Sequence, residues 1–475
     1  MPSAPSAATQ FPRWRVFPPV ALGVVMATLD ASVVNIALPT LQRRFAVPFT
    51  TIEWVVLAYA VTITGLLLTA GRLADLRGRR GVYATGLVTF SAASLLCGLA
   101  PGAHALIAAR VLQGVGAAMV AANGSALLVS AFPLEERGKA LGAFGAMVGI
   151  GLAMGSPLGG LVIAHWSWRW VFLVNLPLGL LALALLRARV PADRPVPDAP
   201  PLDLRAAAFW CAALVTLMLA LSRGPETGWS NPGVLALFGV AAAMLAAFAA
   251  AESRSAHPML PLRILFGPLG AAVLVTLVGQ AVTVAVGMQV PLYLEEVLGF
   301  GAQRTGLWVT ILPLASLLLA PAAGWLSDRT GARVLTTLGM AGTAAGLLVL
   351  AGLGTTMAWP PPVGLVLVGA GQGVFAVPNS SSLLSLVPHE QLGIASGLQG
   401  TTRNLGLTTG AAFVSAMLAS RYLSHAGRVL EGGRGPVDRT AFVAASHDAF
   451  LALTAVALVG AALAAAQRRV PAAGA

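Results

Sequence analysis

Apolar stretches recur along this chain, most of them close to the ~20 residues that an α-helix needs to cross a bilayer. That recurrence restricts the fold more than any other feature of the sequence. The stretches do not alternate polar and apolar residues as the strands of a membrane barrel would, so the chain reads as an all-α integral membrane protein. Composition agrees, since charged residues make up 10% of the 475, against about 25% in an ordinary soluble domain. Six spans fall between Val16 and Leu186, two between Ala206 and Ala251, and six between Gly267 and Ala466, which makes fourteen.

The spans divide the chain into a cytoplasmic tail (1–15), a six-helix bundle (16–186), a linker (187–205), two inserted helices (206–251), a second linker (252–266), a second six-helix bundle (267–466) and a tail (467–475). The first linker contains RPVPDAPP, the composition of a stiff spacer. Basic residues favour the cytoplasmic side. With the N-terminus inside, Arg13, Arg15, Arg72, Arg77, Arg79, Arg80, Arg137, Lys139, Arg187, Arg189, Arg329 and Arg333 all fall there, as do both termini. The formal charge of +12 is thus topological signal and apposition to anionic lipid of a cytoplasmic or plasma membrane, not a nucleic-acid surface. The apolar run after the N-terminal tail is too long and too poor in small residues at its end for a cleaved signal peptide. Cys97 and Cys211 both fall inside spans, where a small packing residue is expected rather than a disulfide or metal ligand.

The chain also repeats itself. GRLADLRGRR (Gly71–Arg80) is matched by GWLSDRTGAR (Gly324–Arg333), with Gly71, Asp75, Gly78 and Arg80 corresponding to Gly324, Asp328, Gly331 and Arg333. Pro133, Glu135, Gly138, Ala140 and Gly142 correspond to Pro388, Glu390, Gly393, Ala395 and Gly397, and Gln113-Gly114-Val115 to Gln372-Gly373-Val374. Matched loops lie eight helices apart, on the same side of the membrane, so the six-helix halves are parallel repeats with the two extra helices inserted between them. Parallel halves of this kind rock about a site at the bilayer midplane.

Within the first span, Val16 to Leu38, one carboxylate stands alone in ATLDASVVNIALPT. A charge there costs roughly 2.5 to 3.5 kcal/mol on insertion scales, so Asp30 is expected to be functional. Its expected partner is Arg110, inside the fourth span, with Gln113 three residues on and therefore on the same helical face. Burial disfavours the charged form of a carboxylate and a neighbouring guanidinium favours it. Such a balance is what a proton-coupling pair requires; a structural ion pair that never titrates is the alternative. No His lies well inside a span, so a His relay is not expected.

Asn35, Tyr59, Gln113, Asn123, Gln280, Gln289 and Asn379 are the polar and aromatic candidates for a substrate cavity, each equally suited to an interhelical hydrogen bond. Glu53, at the outer start of the second span, is either a second acidic group or an interfacial one. Gly151, Gly155 and Gly159 form a smooth face on the fifth span, expected to slide or seal against the other half, or else to be static packing. Gly393, Gly397 and Gly400 look like its counterpart, with Arg403 and Asn404 following inside the span. In the repeated loop the glycines permit tight turns, and Asp75 is suited to capping a helix or pairing with arginines.

The single lysine, Lys139, lacks the glycine spacing of a phosphate-binding loop, and no metalloprotease, dinucleotide or nucleophile-elbow motif is present. The expected partners are small lipophilic or cationic substrates, protons and the lipid bilayer, with no nucleotide, nucleic acid, metal or other cofactor, and no enzyme activity.

Five motifs together, LDASVVNIALP, GRLADLRGRR, RVLQGVG, the glycine-rich fifth span ending GSPLGG, and WRWVFLVNLPLG, resemble the major facilitator superfamily. Within it they resemble the fourteen-helix drug:proton antiporters of the EmrB/QacA type. Two departures stand out: Leu76 follows Asp75 where the family has a basic residue, and Ser156 separates Gly155 from Pro157. The resemblance implies a major facilitator fold and a conformational latch involving Gly71, Asp75, Arg79, Arg80, Asp328 and Arg333 that stabilises the outward-facing state. It also implies proton-coupled export of lipophilic, often cationic drugs or antibiotics; the alternative is a carrier of one physiological metabolite, such as a self-made antibiotic.

Overall fold

The computed structural model describes residues 13–133, 136–192, 202–255, 257–260, 262–356, 360–427 and 438–467. The expected Pro-rich spacer, Glu135 of the repeat and nearly all of both terminal tails lie outside these residues. Among the described residues fourteen long helices follow one another and there are no strands. They are α1 (Phe17–Phe45), α2 (Trp54–Arg77), α3 (Arg79–Leu99), α4 (Ala103–Ala131), α5 (Arg137–His165), α6 (Asn175–Arg189), α7 (Leu204–Thr227), α8 (Pro232–Arg254), α9 (Pro268–Leu292), α10 (Ile311–Thr330), α11 (Ala332–Ala351), α12 (Pro360–Ser385), α13 (Leu392–Ala426) and α14 (Arg439–Ala466).

Helix starts and stops follow the local chemistry. α1 begins with prolines in its first turn, where the missing N–H costs nothing, and runs past the expected end at Leu38 to Phe45, carrying Arg43 and Arg44 in its last turn. Asp203, Asn231 and Asp438 cap α7, α8 and α14 by accepting backbone N–H groups of the first turn, each worth about 1 kcal/mol. The repeat acquires a physical meaning at Gly78 and Gly331. Each is the lone residue between two long helices, α2 and α3 or α10 and α11, with φ of +100° and +85°, a conformation that glycine adopts without penalty.

Thirteen helical segments are long and apolar enough to cross a membrane. The exception is α13, whose middle reads GTTRNLGLTTG and which packs against α2 and α9. Outward-facing leucines and valines such as Leu99, Leu180, Leu318, Leu338 and Val459 stay exposed, as suits side chains that meet lipid rather than water.

Each half has its own apolar core. In the N-terminal half Tyr83, Leu87, Phe90, Ala117 and Leu128 pack together; in the C-terminal half Val282, Val286, Leu347, Phe375 and Phe450 do. Glycines set the close approaches, since a Cβ at Gly116 would strike the backbone at Phe90 and one at Gly346 the backbone at Val368. A third cluster unites both halves with the inserted pair through Leu68, Leu141, Trp210, Phe248, Leu383 and Leu398. α7 lies against α2 and α13, with the Cys211 sulfur beside Gly65.

Candidate functional site

Asp30 is 1% exposed, and every polar neighbour it has is a donor. The Arg110 guanidinium donates to one carboxylate oxygen at 2.5 Å; the Gln113 and Asn175 amides donate to the other at 2.9 and 2.8 Å. The donors are themselves held. Arg110 donates through Nε to the Val55 carbonyl (2.8 Å) and through Nη1 to Gln113 Oε1 (2.6 Å), and Gln113 also donates to the Ser94 hydroxyl at 2.8 Å. The Tyr59 ring covers the guanidinium, its centroid 4.1 Å from Cζ, with Phe172 farther off at 5.9 Å. Removing two charges from water is tolerable only with this degree of satisfaction. In this arrangement three donors converge on one buried carboxylate.

Asp30, Arg110 and Gln113 thus come together from α1 and α4, and Tyr59 of α2, expected at a substrate cavity, covers the guanidinium. Sequence reasoning missed Asn175, at the start of α6, and Ser94 on α3. Asn175 stands within WRWVFLVNLPLG beside an apolar run, and its full burial is the signal that separates it from an ordinary helix-start residue.

The other cavity candidates are dispersed. Asn35 is exposed and donates to the Ala31 carbonyl on its own helix. Asn123 donates to Met119 within α4. Gln289 bonds the Ser446 carbonyl of α14 (3.3 Å), and Asn379 bonds the Ala272 carbonyl (3.1 Å) and the Thr276 hydroxyl (2.7 Å) of α9. These join helices of the C-terminal half. Gln280 is half-buried on α9, its Cβ facing Gly406 of α13.

The glycine row expected to seal against the other half does not do so. Gly151, Gly155 and Gly159 pack on Thr28, Ser32 and Val33 of α1, inside their own half. The contact with the other half is made by Gly138, Gly142 and Gly149, which meet Gly324, Pro321 and Leu317 of α10. At 3.6 residues per turn the two rows lie on distinct faces of α5, about 120° apart, so one helix serves both contacts.

At the arginine-rich end the halves are clasped twice, in pseudo-twofold fashion. Asp75, at the end of α2, accepts the backbone N–H groups of Gly393 and Ile394 (both 2.9 Å), the first turn of α13. Asp328, at the end of α10, accepts those of Gly138 and Lys139 (2.8 and 3.0 Å), the first turn of α5. Neither α5 nor α13 has a side-chain cap from its own N-cap residue; each is capped from across the interface, where the helix dipole favours a carboxylate. A Cβ on Gly71 would strike the Gly393 carbonyl, and one on Gly324 the Gly138 carbonyl.

Arg79 binds Asp75 (3.0 and 3.2 Å) and the His389 carbonyl, so it reinforces one clasp. Arg80 reaches the Arg187 carbonyl at 3.3 Å. Arg333 is exposed. Further inter-half bonds join Ser125 to Ser396 (2.6 Å) and Asn404 to Thr64 (2.9 Å).

The Major Facilitator Superfamily model matches residues 20–411 and, again, 269–471. The chain is 35% identical over 402 residues to the "Multidrug resistance protein Stp" of Mycobacterium tuberculosis, covering 84% of this chain and 74% of the relative. It is 35% identical over 427 residues to the "Puromycin resistance protein pur8" of Streptomyces alboniger, covering 87% and 84%. Among solved structures, the proton:xylose symporter XylE aligns with a TM-score of 0.63 at 16% identity over 94% of each chain, a likeness of fold.

Proposed function

The chain belongs to the major facilitator superfamily, and from that premise we propose that it exports drug-like or antibiotic small molecules across the cytoplasmic membrane in exchange for protons. It is a transporter and not an enzyme. The observation that carries the proposal is the Asp30 carboxylate, buried at mid-span among three donors and above two clasps that close one end of the molecule. Relatives named for multidrug and puromycin resistance favour drug-like cargo.

The arginine-rich, clasped end is the cytoplasmic one on this reading, as the basic residues favour, and the described state faces outward. Asp30 releases its proton when substrate binds from the cytoplasm and takes one up from outside as substrate leaves. Each event biases the other only by its differential affinity for the two states. Protonation removes the negative charge that Arg110, Gln113 and Asn175 answer and turns one oxygen into a donor, which weakens the hold of α4 and α6 on α1 and gives the bundle a reason to move.

The test is uptake of a fluorescent lipophilic probe into proteoliposomes under an imposed pH gradient, with the wild type and Asp30→Asn. Concentrative uptake that vanishes in the variant, at equal insertion, is the expected result. Equal uptake by both removes Asp30 from the coupling role, and no uptake by either removes multidrug export. The narrower alternative, one antibiotic or other metabolite as sole cargo, is favoured by the relative named for a single antibiotic, and a panel of unrelated probes separates the two.

A further inference from the structure

The contact between α2 and α13 runs from Gly71 against Gly393, through Leu67 against Gly397 and Gly400, to the bond between Thr64 and Asn404. Arg403 stands at the far end of that line, about a third of the way along α13. Its Nε is fully buried with no hydrogen-bond partner, and among the described residues no carboxylate pairs with it. Tyr59, whose ring covers Arg110, stands on α2 about a turn and a half from Thr64, the partner of Asn404. One turn along α13, Gly406 faces Gln280, whose amide likewise bonds no described residue.

Arg403 is half-buried, and leaving its inward-turned Nε unanswered is costly, while a planar guanidinium is the group best shaped to grip a carboxylate. The interior offers it none. Asp30, the one carboxylate of the described residues deep in the N-terminal half, is fully engaged by Arg110, Gln113 and Asn175. The same fact bears on cationic cargo, since no unengaged carboxylate stands beside Arg403 to receive an ammonium group.

We propose that Arg403, assisted by Gln280 and the Tyr59 ring, is a substrate-recognition site, and that the compounds carried bear an acidic group, a carboxylate or an ionised phenol or enol, on an apolar scaffold. This rests on the export reading above and narrows its substrate class. The acidic group docks on the guanidinium and the scaffold lies along the apolar surface between the halves.

The experiment compares rhodamine 110, which carries a free carboxylate, with its methyl ester rhodamine 123, a cation. Each is titrated by fluorescence polarisation against the purified full-length chain in detergent, without any gradient. The wild type is expected to bind the acid about tenfold more tightly than the ester, the scale of one charge-assisted hydrogen bond. Arg403→Gln is expected to abolish that preference by weakening the acid alone, while Arg403→Lys retains part of it.

A wild type that prefers the ester, binds both equally or binds neither overturns the proposal, as does a preference that survives Arg403→Gln. Should Arg403→Gln not survive purification, the wild-type ratio together with Arg403→Lys decides, since the lysine variant keeps the charge but not the fork. These titrations need no proton gradient, so they stand or fall apart from the Asp30→Asn uptake result that tests export itself.

Discussion

In the N-terminal half α4 brings Arg110 and Gln113 to Asp30. The repeat puts Gly369 and Gln372 at the same positions of α12, where a Cβ on Gly369 would strike the Leu312 carbonyl and Gln372 keeps a buried, unpaired amide nitrogen. Around them the C-terminal half fills its interior with Val282, Val286, Leu347 and Phe375. At the arginine-rich end, by contrast, the halves are nearly interchangeable, Asp75 serving α13 as Asp328 serves α5. The contrast separates two jobs. Closing one end needs matched parts from both halves, whereas the fully buried ion pair of the described residues, Asp30 with Arg110, is costly and stands in the N-terminal half alone.

The comparison is most exposed at its interior. Asn175→Leu removes one of three donors to Asp30, and a hydrogen bond to a charged group is worth about 1.5 to 3 kcal/mol, so pH-driven uptake is expected to fall by about ten- to a hundredfold. Gln372→Leu, in the other half, is expected to change uptake by less than about twofold, because its amide is already unsatisfied. Equal losses would dissolve the distinction between the halves.

Next in size are Gly71→Val and Gly324→Val, whose new side chains meet backbone across the interface. Overpacking of this kind costs about 1 to 3 kcal/mol. Spin-label distances across the arginine-rich end should show the closed population shrinking to a similar extent in both. A large disparity would mean that the two clasps do not close together.

A smaller effect tests the reinforcement of the Asp75 clasp. Arg79→Ala is expected to cost the closed population about 1 kcal/mol, since Arg79 ties Asp75 to the His389 carbonyl. The same distance measurement reads it, and an unchanged closed population would remove Arg79 from the clasp. Smallest is Ser396→Ala, which removes a lone hydroxyl bond to Ser125 at a cost of about 0.5 to 1.5 kcal/mol and should shift the distances only slightly.

Much of this was written in the sequence. A carboxylate in an apolar run, an arginine in another and a glutamine three residues on sufficed to name Asp30, Arg110 and Gln113, because a charge in a membrane span has few explanations. The repeat was legible for a similar reason: a single-residue turn at positive φ admits little but glycine, so Gly78 and Gly331 marked corresponding corners. What stayed hidden were partners. The spacing of Gly151, Gly155 and Gly159 identifies a face but not what rests on it, and that proved to be α1 of the same half. Asp75 read as a cap or an arginine partner, and it is both; that the capped helix is α13, in the other half, follows only from packing. Asn175 and Ser94 escaped because an amide at a helix start and a hydroxyl within a span are commonplace until their burial is known.

The helix caps that cross the interface also set how strongly cargo must prefer one arrangement over the other. Four backbone N–H groups donate to Asp75 and Asp328; at roughly 1 kcal/mol net apiece they bias the closed arrangement by about 4 kcal/mol, near a thousandfold. A compound that binds both arrangements equally leaves that ratio untouched, however tightly it binds. Effective cargo is therefore defined by how much better it binds the unclasped form, and a tight ligand lacking that difference is an inhibitor.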